Sequence, residues 1–215
     1  MHKIMTPSIV CIQRTMKERA ILVNKLNCKR IHLDLTIGRS MPNLISLDSF
    51  LKEKRSIFKP QIDYHIFNYQ ENWSKIHLPE FTGDRVIIHI FPWMKKNNII
   101  SMISYFSNKF SVGIAQDLHS HYNDINHYIN MVDCILVMGI EAGEQGKPLD
   151  QKALKNLKRL RKYHKIILGI DGGVNYQTFN KLIQLTDFVV IGSLLFNFTD
   201  INHQWNQLKK QIKKI

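Results

Sequence analysis

Arg30-Ile31-His32-Leu33-Asp34-Leu35 reads as a strand with two unlike faces. Side chains alternate along a strand, so Ile31, Leu33 and Leu35 share one side while His32 and Asp34 share the other. The apolar side is suited to packing on helices. The imidazole and carboxylate opposite would be costly to bury alone, so the pattern predicts a compensating metal ion or substrate. Asp63-Tyr64-His65-Ile66-Phe67 repeats the case with His65, and Ile166 to Ile170 runs into Asp171-Gly172-Gly173, putting a further carboxylate at a strand's C-terminal end.

Working outward from this stretch, apolar runs and amphipathic segments alternate along the whole chain. Candidate strands are Pro7 to Ile12, Arg30 to Leu35, Gln61 to Phe67, Arg85 to Phe91, Ser111 to Ala115, Cys134 to Met138, Lys165 to Ile170 and Phe188 to Ile191. Helical patterns between them are clearest at Met16 to Asn27, Lys95 to Asn108, Gln151 to His164, Tyr176 to Leu185 and Asn202 to Lys213. Strands alternating with helices predict an α/β fold of parallel βαβ units. A count of eight favours a closed (β/α)8 TIM barrel over an open doubly wound sheet. At 215 residues the barrel is a compact one with little room for a second domain, and no Pro, Gly or Ser-rich linker interrupts it, so residues 1–215 are expected to form one domain.

In a barrel the polar sides of these strands face the interior, and catalytic groups gather at the strands' C-terminal ends. His32, Asp34, His65 and Asp171 then form a set of two imidazoles and two carboxylates suited to one divalent ion, zinc first, with iron or manganese as alternatives. Any one of them alone reads as a satisfied structural group; four at comparable depth read as a site. His89 sits alone on an apolar strand and is ambiguous between the cavity and a structural role. His119, His121, His127, His164 and His203 fall in loop or helix stretches and are expected at the surface. Glycines follow the later strands: Gly143 and Gly146, then Gly172 and Gly173, then Gly192 with Ser193. Exposed backbone N–H groups in such turns form anion nests, which in barrels lie after strands seven and eight.

Composition narrows the partners. The 30 Lys and Arg against 17 Asp and Glu leave +13, a surplus that favours anionic partners. Much of that charge belongs to helix surfaces: Lys152, Lys155, Lys158, Arg159 and Lys162 lie opposite Leu154, Leu157 and Leu160, with Asp150 as N-cap. The tail lysines Lys209, Lys210, Lys213 and Lys214 read the same way, and aromatic residues are not interleaved as nucleic-acid binding requires, so no nucleic-acid partner is expected. No run reaches the ~18 apolar residues of a membrane span. Cys11, Cys28 and Cys134 are odd in number and widely spaced, which predicts neither a disulfide framework nor a structural zinc site. No leader is expected in the first residues, and a cytoplasmic setting follows.

The chain resembles the ribulose-phosphate 3-epimerase family. Thr6-Pro7-Ser8-Ile9 looks like that family's opening strand; His32-Leu33-Asp34, Gly38 and Pro42-Asn43 like its HxD, G and PN segment; and Asp63-Tyr64-His65 like its third-strand histidine motif. Val137-Met138 with Gly143 and Gly146, Asp171-Gly172-Gly173-Val174, and Gly192-Ser193 look like its later loops. The resemblance implies a ribulose-phosphate-binding barrel with one divalent metal on His32, Asp34, His65 and Asp171. It implies Asp34 and Asp171 as the acid/base pair, and Ser8, His65, Met138, Gly143, Gly146, Gly172, Gly173, Gly192 and Ser193 as substrate contacts. The implied partner is a phosphorylated ketose, with a homo-oligomer among the options.

The chain also departs from that family's pattern. Thr36 and Ile37 stand where it has a methionine and an acidic residue, Phe67 replaces a methionine, and Glu144 enters the loop after strand six, with Lys147 able to offset its charge. The implied activity is a metal-dependent 3-epimerase interconverting ribulose 5-phosphate and xylulose 5-phosphate. Alternatives are an epimerase for a related ketose phosphate such as allulose 6-phosphate, with which Cys11 and Leu195-Phe196-Asn197 are compatible, and a catalytically silent barrel serving as a binding module.

Overall fold

In the computed structural model, which describes residues 3–12, 14–41, 43–70, 73–118 and 125–213, nine parallel strands curl into one sheet. They are β1 (Ile4–Pro7), β2 (Arg30–Ile37), β3 (Ile45–Ser46), β4 (Gln61–Asn68), β5 (Arg85–Ile90), β6 (Ser111–Gln116), β7 (Cys134–Met138), β8 (Ile167–Asp171) and β9 (Phe188–Ile191). Their order is β1-β9-β8-β7-β6-β5-β4-β2-β3. A parallel bridge between Ser8 and His32 brings the sheet's ends together, while the two residues of β3 are an addition to β2 at Leu35 and Thr36. Eight strands thus make the ring of a (β/α)8 barrel. Around it run α1 (Met16–Lys25), α2 (Leu47–Leu51), α3 (Lys96–Ser107), α4 (Gln151–Leu160), α5 (Phe179–Leu185), α6 (Ser193–Phe196) and α7 (Ile201–Ile212).

The alternation seen in the sequence sorts side chains into two cores. Ile31, Leu33, Leu35, Tyr64, Val86 and Ile88 pack with the helices in one large cluster. Ile87, Ala115, Cys134, Leu136, Met138, Phe188 and Val190 form a second, separate cluster that fills the barrel. Helix orientation follows the same economy. In α4, Ala153, Leu154, Leu157 and Leu160 are buried, Asp150 accepts a hydrogen bond from the Lys152 N–H, and Lys152, Lys155, Lys158, Arg159 and Lys162 are exposed. The lysine row is therefore a solvent face.

Toward the N-terminal ends of the strands the barrel holds charge. Asp63 takes Arg30 Nη1 at 2.6 Å and Arg85 Nε at 3.0 Å on one carboxylate oxygen, with Arg85 Nη2 on the other. The Arg85 guanidinium also lies 4.5 Å from the centre of the Phe188 ring. Burial would push the Asp63 carboxyl up, but Arg85 and Arg30 outweigh it and hold it below the usual carboxylate range.

The first strand was expected at Pro7 to Ile12; it lies at Ile4–Pro7, and Ile9–Cys11 is a 3-10 turn. A short apolar run looks the same whether a strand or a buried turn uses it. Here β1 keeps register with β9 only as far as Pro7 opposite Ile191, after which Ile9 and Ile12 enter the helix-side core. The other seven expected strands recur with ends moved by no more than two residues; four of the five expected helices are shorter at one or both ends, and the last is displaced by one residue to Ile201–Ile212. Among the described residues, no helix is long and apolar enough to cross a membrane.

Candidate metal and substrate site

Three strands deliver the four predicted donors to one place. His32 and Asp34 project from β2, His65 from β4, and Asp171 from the last position of β8. The register of β2 with β4 sets Asp34 opposite His65. Asp34 Oδ1 lies 2.8 Å from His65 Nδ1 and 3.1 Å from His32 Nε2, the two ring nitrogens are 3.2 Å apart, and Asp171 Oδ2 is 3.6 Å from His32 Nε2. One ligand atom from each of the four residues lies within 4.8 Å of the others.

These spacings suit a cation. Ligands at about 2.0–2.1 Å around a tetrahedral zinc-type ion stand roughly 3.3 Å from one another, within the range of separations found here. Two imidazole nitrogens facing each other at 3.2 Å also need a proton or a positive ion between them, since two lone pairs repel. Among the described residues, His32 Nδ1 is buried without a hydrogen-bond partner, so the polar interactions of that ring are concentrated on Nε2, the atom turned to both carboxylates.

Without a metal, burial and mutual charge split the four groups. Burial disfavours the His32 imidazolium, but Asp34 and Asp171 overcome this and raise its pKa to about 9. Burial lowers His65 to about 3, against the opposing pull of Asp34. For Asp34, burial is outweighed by His32 and His65, which keep the carboxyl ionised well below the usual carboxylate range. Asp171 is pushed up to about 7 by burial, with His32 opposing and Asp34 adding to the rise. Its side chain keeps 18% of its surface open to the cavity, yet surrounding protein atoms displace most of the water that would solvate its charge.

A pocket opens above this cluster. Ser8, Asp34, Met138, Gly143, Gly146, Asp171, Gly172, Gly173, Gly192 and Ser193 all line it. His32 and His65 are fully buried and lie behind the residues that line the pocket. Ser8 Oγ points at Asp34 Oδ2 at 3.4 Å. The loops after β2 and β7 are tied across the rim, where Asn43 donates from Nδ2 to the Gly143 carbonyl at 3.0 Å. Pro42, its expected companion, lies outside the described residues. Glu144 is paired with Lys147 at 3.5 Å, which offsets the negative charge it brings to this rim.

Two further residues border the site, one left undecided by the sequence and one passed over. His89, left ambiguous, lies fully buried on β5 with its Nδ1 3.1 Å from His65 Nε2. Asp117 was not picked out at all, and its Oδ2 stands 3.2 Å from His89 Nε2. The available signal was a carboxylate just past a strand's end, as at Asp171. Ending the fifth expected strand at Ala115 hid it, whereas that strand, β6 of the sheet, runs to Gln116. His127, His164 and His203 are exposed as expected; His119 and His121 lie outside the described residues.

Comparison with known proteins gives the family and the fold. The model of the ribulose-phosphate 3 epimerase family matches residues 4–196. Curated relatives include the ribulose-phosphate 3-epimerase of Buchnera aphidicola, 23% identical over 192 residues, covering 86% of this chain and 83% of that protein. The Bacillus subtilis ribulose-phosphate 3-epimerase is 21% identical over 188 residues, covering 83% and 84%. Among solved structures, KGPDC from Streptococcus mutans superposes with a TM-score of 0.65 at 11% identity, covering 99% of this chain and 98% of the other. Orotidine 5'-phosphate decarboxylase from Pyrococcus horikoshii gives 0.64 at 11% identity, covering 98% and 100%. At such identity the structural likeness is one of fold.

Proposed function

This chain belongs to the ribulose-phosphate 3-epimerase family, and we propose that residues 1–215 act as one barrel domain that epimerises a phosphorylated ketose at C3, with ribulose 5-phosphate and xylulose 5-phosphate as the pair. The observation that carries this reading is the convergence of His32, Asp34, His65 and Asp171 beneath a pocket lined by the glycine turns of three successive loops. The relatives' names are in keeping with it.

Asp34 and Asp171 are the acid/base pair. Epimerisation requires a proton to leave one face of C3 and another to arrive on the opposite face, so two groups of unlike protonation are needed at the start. An ionised Asp34 and a protonated Asp171 meet that need in one direction, and exchange roles in the other. The enediolate formed between the two transfers must be stabilised, because a proton beside a ketone is only weakly acidic. A divalent ion held by His32, Asp34, His65 and Asp171 would supply a Lewis acid for the developing oxyanion, and zinc suits this mixed nitrogen and oxygen donor set. Ser8 and Met138 bear on the sugar, while backbone N–H groups around Gly143, Gly146, Gly172, Gly173, Gly192 and Ser193 receive the phosphate. The chain's surplus of positive charge supports attraction of that dianion from solution. A cytoplasmic location accords with such a soluble substrate.

Metal analysis of the purified protein together with deuterium exchange from solvent into C3 of ribulose 5-phosphate tests this function. Bound divalent metal and exchange are expected. Absence of both would overturn the proposal, and exchange confined to a six-carbon ketose phosphate would move the assignment to a related epimerase.

A further inference from the structure

Among the described residues, His65 is the site imidazole with a built support behind it. Its Nδ1 faces Asp34 and His32, and its Nε2 lies 3.1 Å from His89 Nδ1. His89 in turn presents Nε2 to Asp117 Oδ2 at 3.2 Å. His65 and His89 are fully buried, and Asp117 is nearly so, at 8% exposure. Phe67 covers the row, with its ring centre 4.2 Å from that of His65 and 4.4 Å from that of His89.

A neutral imidazole carries one proton, so a chain of imidazoles has a direction. A carboxylate at one end only accepts. If His89 donates from Nε2 to Asp117, its Nδ1 is left with a lone pair, which accepts the Nε2–H of His65. His65 Nδ1 is then a lone pair aimed at the cluster, the form a metal ligand requires. The opposite arrangement, with the His65 proton on Nδ1, directs that proton at Asp34. It also obliges His89 to donate from Nδ1 and to turn a bare Nε2 toward the Asp117 carboxylate. Asp34 and Asp117 therefore compete for the tautomer of His65 from its two sides.

We propose that His89 and Asp117 are positioning residues which hold His65 as its Nε2–H tautomer and so keep Nδ1 ready to ligate the divalent ion. The proposal rests on the reading of the four donors as a metal site. Neither residue touches the pocket wall, so both act through His65.

The test has two readouts on the metal-free chain and on Asp117→Leu, which removes the acceptor at similar volume. Ring nitrogen–proton correlation spectra assign the tautomer of His65. Competition with a chelating dye gives the affinity for Zn2+. The wild type is expected to show His65 with its proton on Nε2, and the variant to shift it toward Nδ1 and bind Zn2+ about 10- to 100-fold more weakly. Asp117→Asn, of nearly unchanged shape, should move both readouts in the same direction by less, and serves in its place if the leucine variant does not fold. A wild type already protonated on Nδ1, or a tautomer and affinity indifferent to both substitutions, would overturn the proposal. A wild type that fails to bind Zn2+ while its tautomer still responds to Asp117 would instead overturn the metal reading and leave the orienting chain in place.

Discussion

Asp34 and Asp171 come to the same end of the barrel from strands β2 and β8, and their surroundings drive their acidities apart. His32 and His65 overcome burial to keep Asp34 ionised, whereas burial, opposed by His32 and reinforced by Asp34, lifts Asp171 to about 7. Two carboxyl groups of one chemistry are thereby given two roles, the condition that proton transfer on opposite faces of one carbon demands.

Asp171→Asn is expected to reduce turnover of ribulose 5-phosphate by roughly 10²- to 10⁴-fold, the usual contribution of a positioned acid or base. Folding should be retained, since the amide keeps the carboxyl's shape. Steady-state rates alongside circular dichroism check this, and a variant turning over at the wild-type rate would remove Asp171 from the acid/base pair.

The same residue predicts a pH dependence of stability in metal-free protein. The carboxyl titrates near 3.8 when unfolded and at about 7 when folded, so between these values the folded chain holds a proton that the unfolded chain has released. Stability from this group therefore falls as pH rises from about 4 to 7. Urea unfolding should show Asp171→Asn gaining on the wild type over that window and losing the advantage at its acid end. Parallel curves for the two proteins at all pH values would contradict the shift.

At the other end of the barrel, Asp63→Ala would strand the buried guanidinium of Arg85, which keeps 6% of its surface exposed. Removing one partner of a buried pair costs about 3–5 kcal/mol. Chemical denaturation measures it, and a loss below about 1 kcal/mol would be that of a solvent-exposed pair instead.

Two glycines of the rim separate backbone strain from crowding. Gly173 and Gly146 both have left-handed φ, +69° and +70°. A Cβ on Gly173 would sit 2.5 Å from Leu149 Cα, while one on Gly146 meets open space. Gly146→Ala should cost about 1–2 kcal/mol for its conformation alone, and Gly173→Ala clearly more. Thermal unfolding of the pair tests the order, and equal losses would show that the loop carrying Leu149 yields freely.

Much of the site was legible before any coordinates, because a strand's alternation is a local property. His32 and Asp34 are two residues apart and must share a face, and the same rule sets His65 on the inner face of its strand and Asp171 at the end of its own. The eight-strand count was legible for the same reason. Position along the first strand was not, since the apolar residues Ile9 and Ile12 serve a turn as well as they would a strand.

What the sequence determined by itself, then, is which faces are polar, how many strands carry them, and which four donors belong together. Tertiary structure alone decided who stands behind whom. Curvature of the ring puts His65 beneath the pocket floor and not on its wall, brings His89 against it from the neighbouring strand, and sets Asp117 behind His89 from the strand beyond. It also gathers half-buried Arg30 with buried Asp63 and Arg85 into one ion cluster. These contacts join residues 22 to 33 positions apart in the chain. Such pairings arise from strand register and barrel closure, which no local periodicity encodes.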